Sequence, residues 1–178
     1  MAIEKAQKFS LPLILIHWLT LLLFIGVYAC IELRGMVGYG LRDTMKQWHF
    51  VFGVSILVLT LIRIVARFAS KIPAIQPKPP AWQMATAHTM EFALYVFMLA
   101  MPVLGYLAVN AYGHPVSVFG ANLPVLVGAN EALGEKLMGV HGTIANIGYV
   151  LIAVHAGAAL YHHYFVRDNA LRQMLPYG

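Results

Sequence analysis

"VHGTIANIGYVLIAVHAGAALYHHYFVR" runs from Val140 to Arg167, and no Asp, Glu, Lys or Arg interrupts the chain between Lys136 and Arg167. An apolar run of this length reads as a membrane-crossing helix, which needs about 20 residues. Helix is the natural form because in hydrocarbon every backbone N–H and C=O must be satisfied within the segment. Yet the run carries His141, His155, His162 and His163. An ionisable side chain at membrane depth is costly, and its default reading is functional. His141 and His155 are fourteen residues apart. On a helix that spacing leaves them about 40° out of phase and about 21 Å apart along the axis. They share one face, one toward each side of a hydrocarbon core roughly 30 Å thick. His162 follows seven residues later on the same face.

Three further segments have the same character, giving predicted spans of about 11–31, 47–68, 87–109 and 140–166. The span at 47–68 is the weakest by hydropathy, because Arg63 breaks its uncharged part. The composition agrees: 60% of residues are apolar and only 11% charged, where soluble domains run near 45–50% and about 25%. The expected fold is all-α, an integral membrane four-helix bundle forming a single domain over residues 1–178. The net charge of +5 does not point to nucleic acid, because the basic residues form no dense patch and fall between the apolar runs. Cys30 is the only cysteine, so neither an internal disulfide nor a cysteine-ligated metal site is available. Lys5 and Lys8 before the first run resemble a signal peptide, but the run is too long and no small-residue cleavage site follows. An uncleaved first span is expected.

Lys and Arg in the short loops set the orientation. Lys5, Lys8, Arg63, Arg67, Lys71, Lys78, Arg167 and Arg172 lie on one side, and Arg34, Arg42, Lys46 and Lys136 on the other. Eight against four places both termini in the cytoplasm. "IPAIQPKPPAW" (Ile72–Trp82) is then a cytoplasmic linker kept extended by its prolines. Residues 110–136, the longest loop, lie on the far side and can fold back over the bundle mouth. Pro102 falls inside the third span and predicts a kink there. Trp18, Trp48 and Trp82 sit near span ends, as in an aromatic belt.

The topology gives the remaining histidines their depths. His17 lies in the cytoplasmic half of the first span and His49 near the outer end of the second. Two cross-bundle pairs become possible, His49 with His141 outside, and His17 with His155 or His162 inside. Two imidazoles facing each other in a dry bundle suit a six-coordinate haem iron. Gly53, Gly142, Gly148 and the cluster Ala156–Ala159 would let a flat macrocycle approach the backbone, although glycine also serves ordinary helix packing. A zinc or copper site would need three or four ligands at one depth. His17, His88 and His155 with Glu91 are the only set available for it.

"SLPLILIHWL" (Ser10–Leu19), "WHFVFGVSILVLTLIRIVAR" (Trp48–Arg67), "AHTMEFALYVFMLAMPVLGY" (Ala87–Tyr106), "MGVHGTIANIGYVLIAVHAGAALYHHYFVRDN" (Met138–Asn169) and "LRQMLP" (Leu171–Pro176) together resemble the bacterial cytochrome b561 family, in order and over nearly the whole chain. The likeness is greatest to its superoxide oxidase (superoxide:ubiquinone oxidoreductase) branch. It implies a bacterial inner-membrane protein with two b-type haems. The implied axial ligands are His17 in "IHW", His49 in "WHF", His141 in "VHG" and His155 in "VHA", paired His17/His155 and His49/His141. The resemblance thus favours His155 over His162 for the inner haem.

The resemblance also implies that superoxide gives its electron at the periplasmic haem and that ubiquinone is reduced from the other. The outer face is formally neutral: Arg34, Arg42, Lys46 and Lys136 stand against Glu32, Asp43, Glu131 and Glu135. Attraction of the anion would therefore need a local cluster, for which Arg34, Arg42 and Lys46 are the candidates. His162 and Lys78 are candidate donors to a quinone carbonyl, with His88 behind them. His88, Arg63 and Arg67 could instead meet haem propionates. His114 is expected to be exposed. A rival role on the same architecture is a cytochrome b subunit linking the quinone pool to a partner dehydrogenase, hydrogenase or other reductase.

Overall fold

The computed structural model describes residues 8–176; Lys5 falls outside them. Four long helices account for most of the chain: α1 (Leu11–Glu32), α2 (Tyr39–Ala69), α3 (Ala81–Ala111) and α4 (Glu131–Tyr161). All four are long and apolar enough to cross a membrane. The start signals are local. Pro12 lies in the first turn of α1, where a missing N–H costs nothing. Asn130 caps α4, its Oδ1 accepting from the Leu133 N–H at 3.0 Å. Within the spans Thr20, Ser55, Thr60 and Thr143 return their hydroxyls to the carbonyl one turn back, so these polar groups need no water.

The helices outrun the apolar segments that announce them. α2 begins at Tyr39 rather than near Gln47, α3 at Ala81 rather than Ala87, and α4 at Glu131 rather than Val140. The added turns carry polar and charged residues, which suit a helix as long as they stand outside hydrocarbon. Trp82 consequently belongs to α3 and not to the linker, and the long loop shrinks to residues 112–130. α2 is also not the weakest span: α4 is the least apolar, because it carries histidines, glycines and a polar first turn. α3 continues through Pro102.

α1 packs closely along α2, and α3 along α4, with a lesser contact between α2 and α3. Between α1 and α4 the contact is made by long side chains. Tyr28 donates to the Ala145 carbonyl at 2.9 Å and lies 4.1 Å, ring to ring, from Tyr149. A middle layer crosses the bundle here. Phe24 stacks on Phe97 at 5.8 Å, Ile56 and Phe97 are buried, and Gly148 sits against Phe97 and Tyr28 so closely that a Cβ would collide with both. Large apolar side chains such as Leu22, Ile25, Val65, Phe92 and Val150 face outward, as hydrocarbon-facing positions should.

The two ends of the bundle are closed differently. At one, residues 112–130 form an antiparallel ribbon, β1 (Ser117–Val118) with β2 (Ala121–Asn122). It folds back so that Val116 and Val118 bury against Val109, Phe50, Val51 and Val54, the position expected over the bundle mouth. We refer to this as the ribbon end. At the other, the tail end, α4 passes into a π turn (His162–Val166), Arg167 takes a left-handed conformation (φ 60°), and residues 168–176 run back across the bundle. The tail is tied to three other segments. Phe9 N–H donates to the Gln173 carbonyl at 3.2 Å. Asn169 and Gln173 bond the linker at Ala74 and Gln76. The Trp18 indole donates to the Met174 carbonyl at 2.7 Å.

Candidate functional site

Three helices, α1, α2 and α4, bring four histidines into two pairs. At the ribbon end the His49 and His141 rings are 6.2 Å apart, centroid to centroid, with planes at 71°. At the tail end His17 and His155 are also 6.2 Å apart, with planes at 65°. The spacing would let the two rings of a pair hold one metal between them. A metal–nitrogen distance of about 2.0 Å on each side, plus the imidazole radius, gives roughly 6 Å between centroids. His162 is in neither pair.

The ribbon-end rings are oriented by backbone. His49 Nδ1 lies 3.1 Å from the Val27 carbonyl of α1, and His141 Nδ1 lies 3.1 Å from the Met101 carbonyl of α3. A carbonyl only accepts, so each Nδ1 carries the proton and each Nε2 keeps its lone pair, the tautomer a metal requires. Glycine permits both approaches. A Cβ on Gly105 would stand 3.0 Å from His141 Cε1, and one on Gly26 would stand 2.8 Å from the Phe52 ring. By contrast, a Cβ on Gly53, Gly142 or Gly157 would meet nothing within 4 Å. These three leave room for a planar group beside the histidines. Gly148, expected among them, is a packing glycine instead.

At the tail end His17 meets the Trp18 ring edge-on at 5.4 Å, and Trp18 is itself held by Met174. Arg63 Nη1 donates to the Leu13 carbonyl, one turn before His17, at 2.8 Å. Arg67 pairs with Glu91 at 3.4 Å and lies over the Phe9 ring. His88 is largely exposed, with its Nδ1 3.8 Å from Glu91, so His88 and Arg67 answer to Glu91 rather than to the paired histidines. His162 is bound to Asp168 at 2.5 Å. Lys78 is exposed on the linker, and His114 is exposed beside the ribbon. Tyr95 Oη and His163 Nδ1 are buried without a hydrogen-bond partner among the described residues.

Arg34, Arg42 and Lys46 converge. With Glu32, Asp43 and Tyr39 they line one open pocket of about 710 Å³. Arg42 is fixed by donating from Nε to the Val37 carbonyl at 3.0 Å and by stacking on Tyr39. Tyr149 donates to Glu32 at 2.7 Å, which engages one of the two acidic side chains. Lys136, Glu131 and Glu135 do not line the pocket. The neutral face therefore contains a locally cationic cluster, and Lys46 stands one turn before His49 on α2.

The chain matches the prokaryotic cytochrome b561 family over residues 8–177. It belongs to that family. Among its relatives is "Cytochrome b561 homolog 1" of Escherichia coli K12, 42% identical over 96% of this chain and 98% of the relative. Another is "Probable superoxide oxidase CybB" of Yersinia pestis, 38% identical over 96% and 97%. "Cytochrome b561 homolog 2" of E. coli K12 is 28% identical over 89% and 86%. As a family member the chain is a bacterial membrane protein of electron transfer that binds b-type haem. The paired imidazoles, the carbonyl-fixed tautomers of the ribbon-end pair and the open glycines fit that group.

Several contributors leave little mark in the sequence. The Val27 and Met101 carbonyls are backbone and leave no trace in residue identity. Gly26 and Gly105 were available as isolated glycines in apolar spans, a signal of close approach. Asp168 was visible only as an acid after a basic span end. Trp18, expected in packing or at the membrane interface, connects the tail to His17.

Proposed function

We propose that this protein oxidises superoxide to dioxygen at the ribbon end and carries the electrons through two b-type haems to ubiquinone at the tail end. The observation that carries the reading is the pair of imidazole pairs, equal in spacing and placed at opposite ends of one bundle. The Yersinia relative named as a probable superoxide oxidase supports the donor. The excess of Lys and Arg on the tail side supports a cytoplasmic tail end and a periplasmic ribbon end.

In this reading His49 with His141 would hold one haem, and His17 with His155 the other. Bound haem supplies reversible one-electron iron chemistry. Arg34, Arg42 and Lys46 raise the local concentration of the superoxide anion beside the outer pair. His162 and Lys78 would donate to a quinone oxygen on the tail side. Two superoxide anions give two dioxygen molecules and two electrons; ubiquinone takes both electrons and two protons to become the quinol.

Stopped-flow mixing of haem-loaded protein with superoxide tests the reading. The expected result is haem reduction near the diffusion range that slows as ionic strength rises. Slow, salt-insensitive reduction overturns it in favour of a cytochrome b subunit serving a partner dehydrogenase or reductase. A purified protein carrying one haem per chain overturns the two-haem assignment.

A further inference from the structure

One buried acid is unused by the chemistry above. The Asp168 side chain is 1% exposed, yet it stands just beyond a membrane span. Both its oxygens are engaged: Oδ2 with His162 Nδ1 at 2.5 Å, and Oδ1 with the Ala170 N–H at 2.9 Å. The backbone is shaped to bring it there. The π turn and the left-handed Arg167 reverse the chain, and the Asp168 N–H donates to the His162 carbonyl at 3.3 Å. Asn169 and Gln173 then pin the next residues to the linker. A buried carboxylate contributes little to stability even when paired, since its desolvation offsets most of the attraction.

The carboxylate accepts from Nδ1, so the other ring nitrogen, Nε2, is left for a different partner. The His162 side chain keeps 24% of its surface exposed. No other charged side chain is hydrogen-bonded to either residue among those described. Tyr161 lies edge-on to His162 at 6.1 Å, and His163 adjoins it. Arg167 and Arg172 flank Asp168 along the tail, and Lys8 bonds the Leu175 carbonyl. The linker meets the neighbouring Asn169 and Gln173 through the uncharged Gln76 and Ala74.

We propose that His162 delivers the protons of quinone reduction and that Asp168 is its positioning residue. This rests on the proposed reading that a quinone is reduced at the tail end. In the step, the Nε2–H bond of an imidazolium breaks and an O–H bond forms on the quinone oxygen, which has taken electrons from the chain's own electron-transfer path. The electron pair of the broken N–H bond stays on Nε2. Asp168 accepts from Nδ1–H throughout and holds the ring with Nε2 turned to its partner. Water on that side returns a proton to Nε2, and a second cycle completes the quinol. The logic is that of a carboxylate orienting a histidine that exchanges protons with a substrate.

The test uses haem-loaded full-length protein, first reduced and then mixed with a short-chain ubiquinone across a range of pH. Asp168→Asn keeps a side chain of the same shape and removes the charge. We expect reoxidation by quinone to slow about tenfold or more near neutral pH, the defect shrinking as pH falls. His162→Gln should show the same loss, the double variant no further loss, and Asp168→Glu a partial recovery. The haem absorption bands of the variants should match the wild type. Wild-type reoxidation rates in Asp168→Asn at every pH overturn the proposal. So does a loss that is independent of pH and accompanied by altered haem bands, which marks a structural role. If Asp168→Asn does not fold, Asp168→Glu and His162→Gln decide the question alone. Failure of quinone to reoxidise the wild-type protein would overturn the quinone reading itself, a separate result.

Discussion

The two ends of the bundle hold the same pair of imidazoles at the same 6.2 Å separation, but by different means. At the ribbon end each ring is steered by a carbonyl of the neighbouring helix, Val27 for His49 and Met101 for His141. At the tail end neither His17 nor His155 has such a partner among the described residues. His17 is instead braced by Trp18, which is held by the C-terminal tail. One site is set by helix packing within the spans, the other by chain folded back from outside them. The ribbon-end pair should therefore tolerate changes in loops and fail with changes in packing, and the tail-end pair should do the reverse.

The largest effects come from the ligands. Under the proposed assignment His141→Ala and His155→Ala each remove one low-spin haem component and spare the other, as read in reduced absorption spectra; loss of both from either variant would break the two-site picture. Next is packing. Gly105→Val adds carbons beside the His141 ring, whose Cε1 already lies 3.0 Å from where the first of them, Cβ, must stand. The ribbon-end component should be lost while the tail-end component persists. Charge follows. Neutralising Arg34, Arg42 and Lys46 together should slow haem reduction by superoxide roughly tenfold, within the range of electrostatic steering, and flatten its dependence on ionic strength. The smallest effect is expected for Trp18→Phe, which deletes one hydrogen bond of about 0.5–1.5 kcal/mol. It should lower the unfolding midpoint by a few degrees and shift the tail-end haem bands alone; an equal shift at both ends would erase the contrast.

The part of this arrangement legible in the sequence was the part carried by side chains at helical spacing. Fourteen residues between His141 and His155 give their shared face and their depths, and the charge bias places His49 and His17 opposite them. The spacing could not choose between His155 and His162, since both lie on one face; the ring distance favours His155. What orients the rings was illegible where it is backbone, as at Val27 and Met101. It was also illegible where it depends on a reversal far along the chain, as for Trp18 with Met174 and Asp168 with His162. The helices begin before the predicted spans for one reason: hydropathy detects the hydrocarbon slab, whereas Pro80 and Asn130 set where helix begins.

The layer of Phe24, Ile56, Phe97 and Gly148 lies between the two pairs and is packed with aromatic and aliphatic carbon. The Tyr28 hydroxyl in this layer is spent on the Ala145 carbonyl, and among the described residues no hydrogen-bonded chain of hydroxyls or carboxylates runs from one pair to the other to carry a proton with the electron. In the proposed direction, negative charge then crosses the membrane uncompensated, toward an interior that is already negative. A full crossing works against about 2.3 kcal/mol per elementary charge for each 100 mV of membrane potential. Turnover in sealed vesicles should accordingly rise when an ionophore collapses the voltage, making this bundle a device whose speed reports the energetic state of the membrane that holds it.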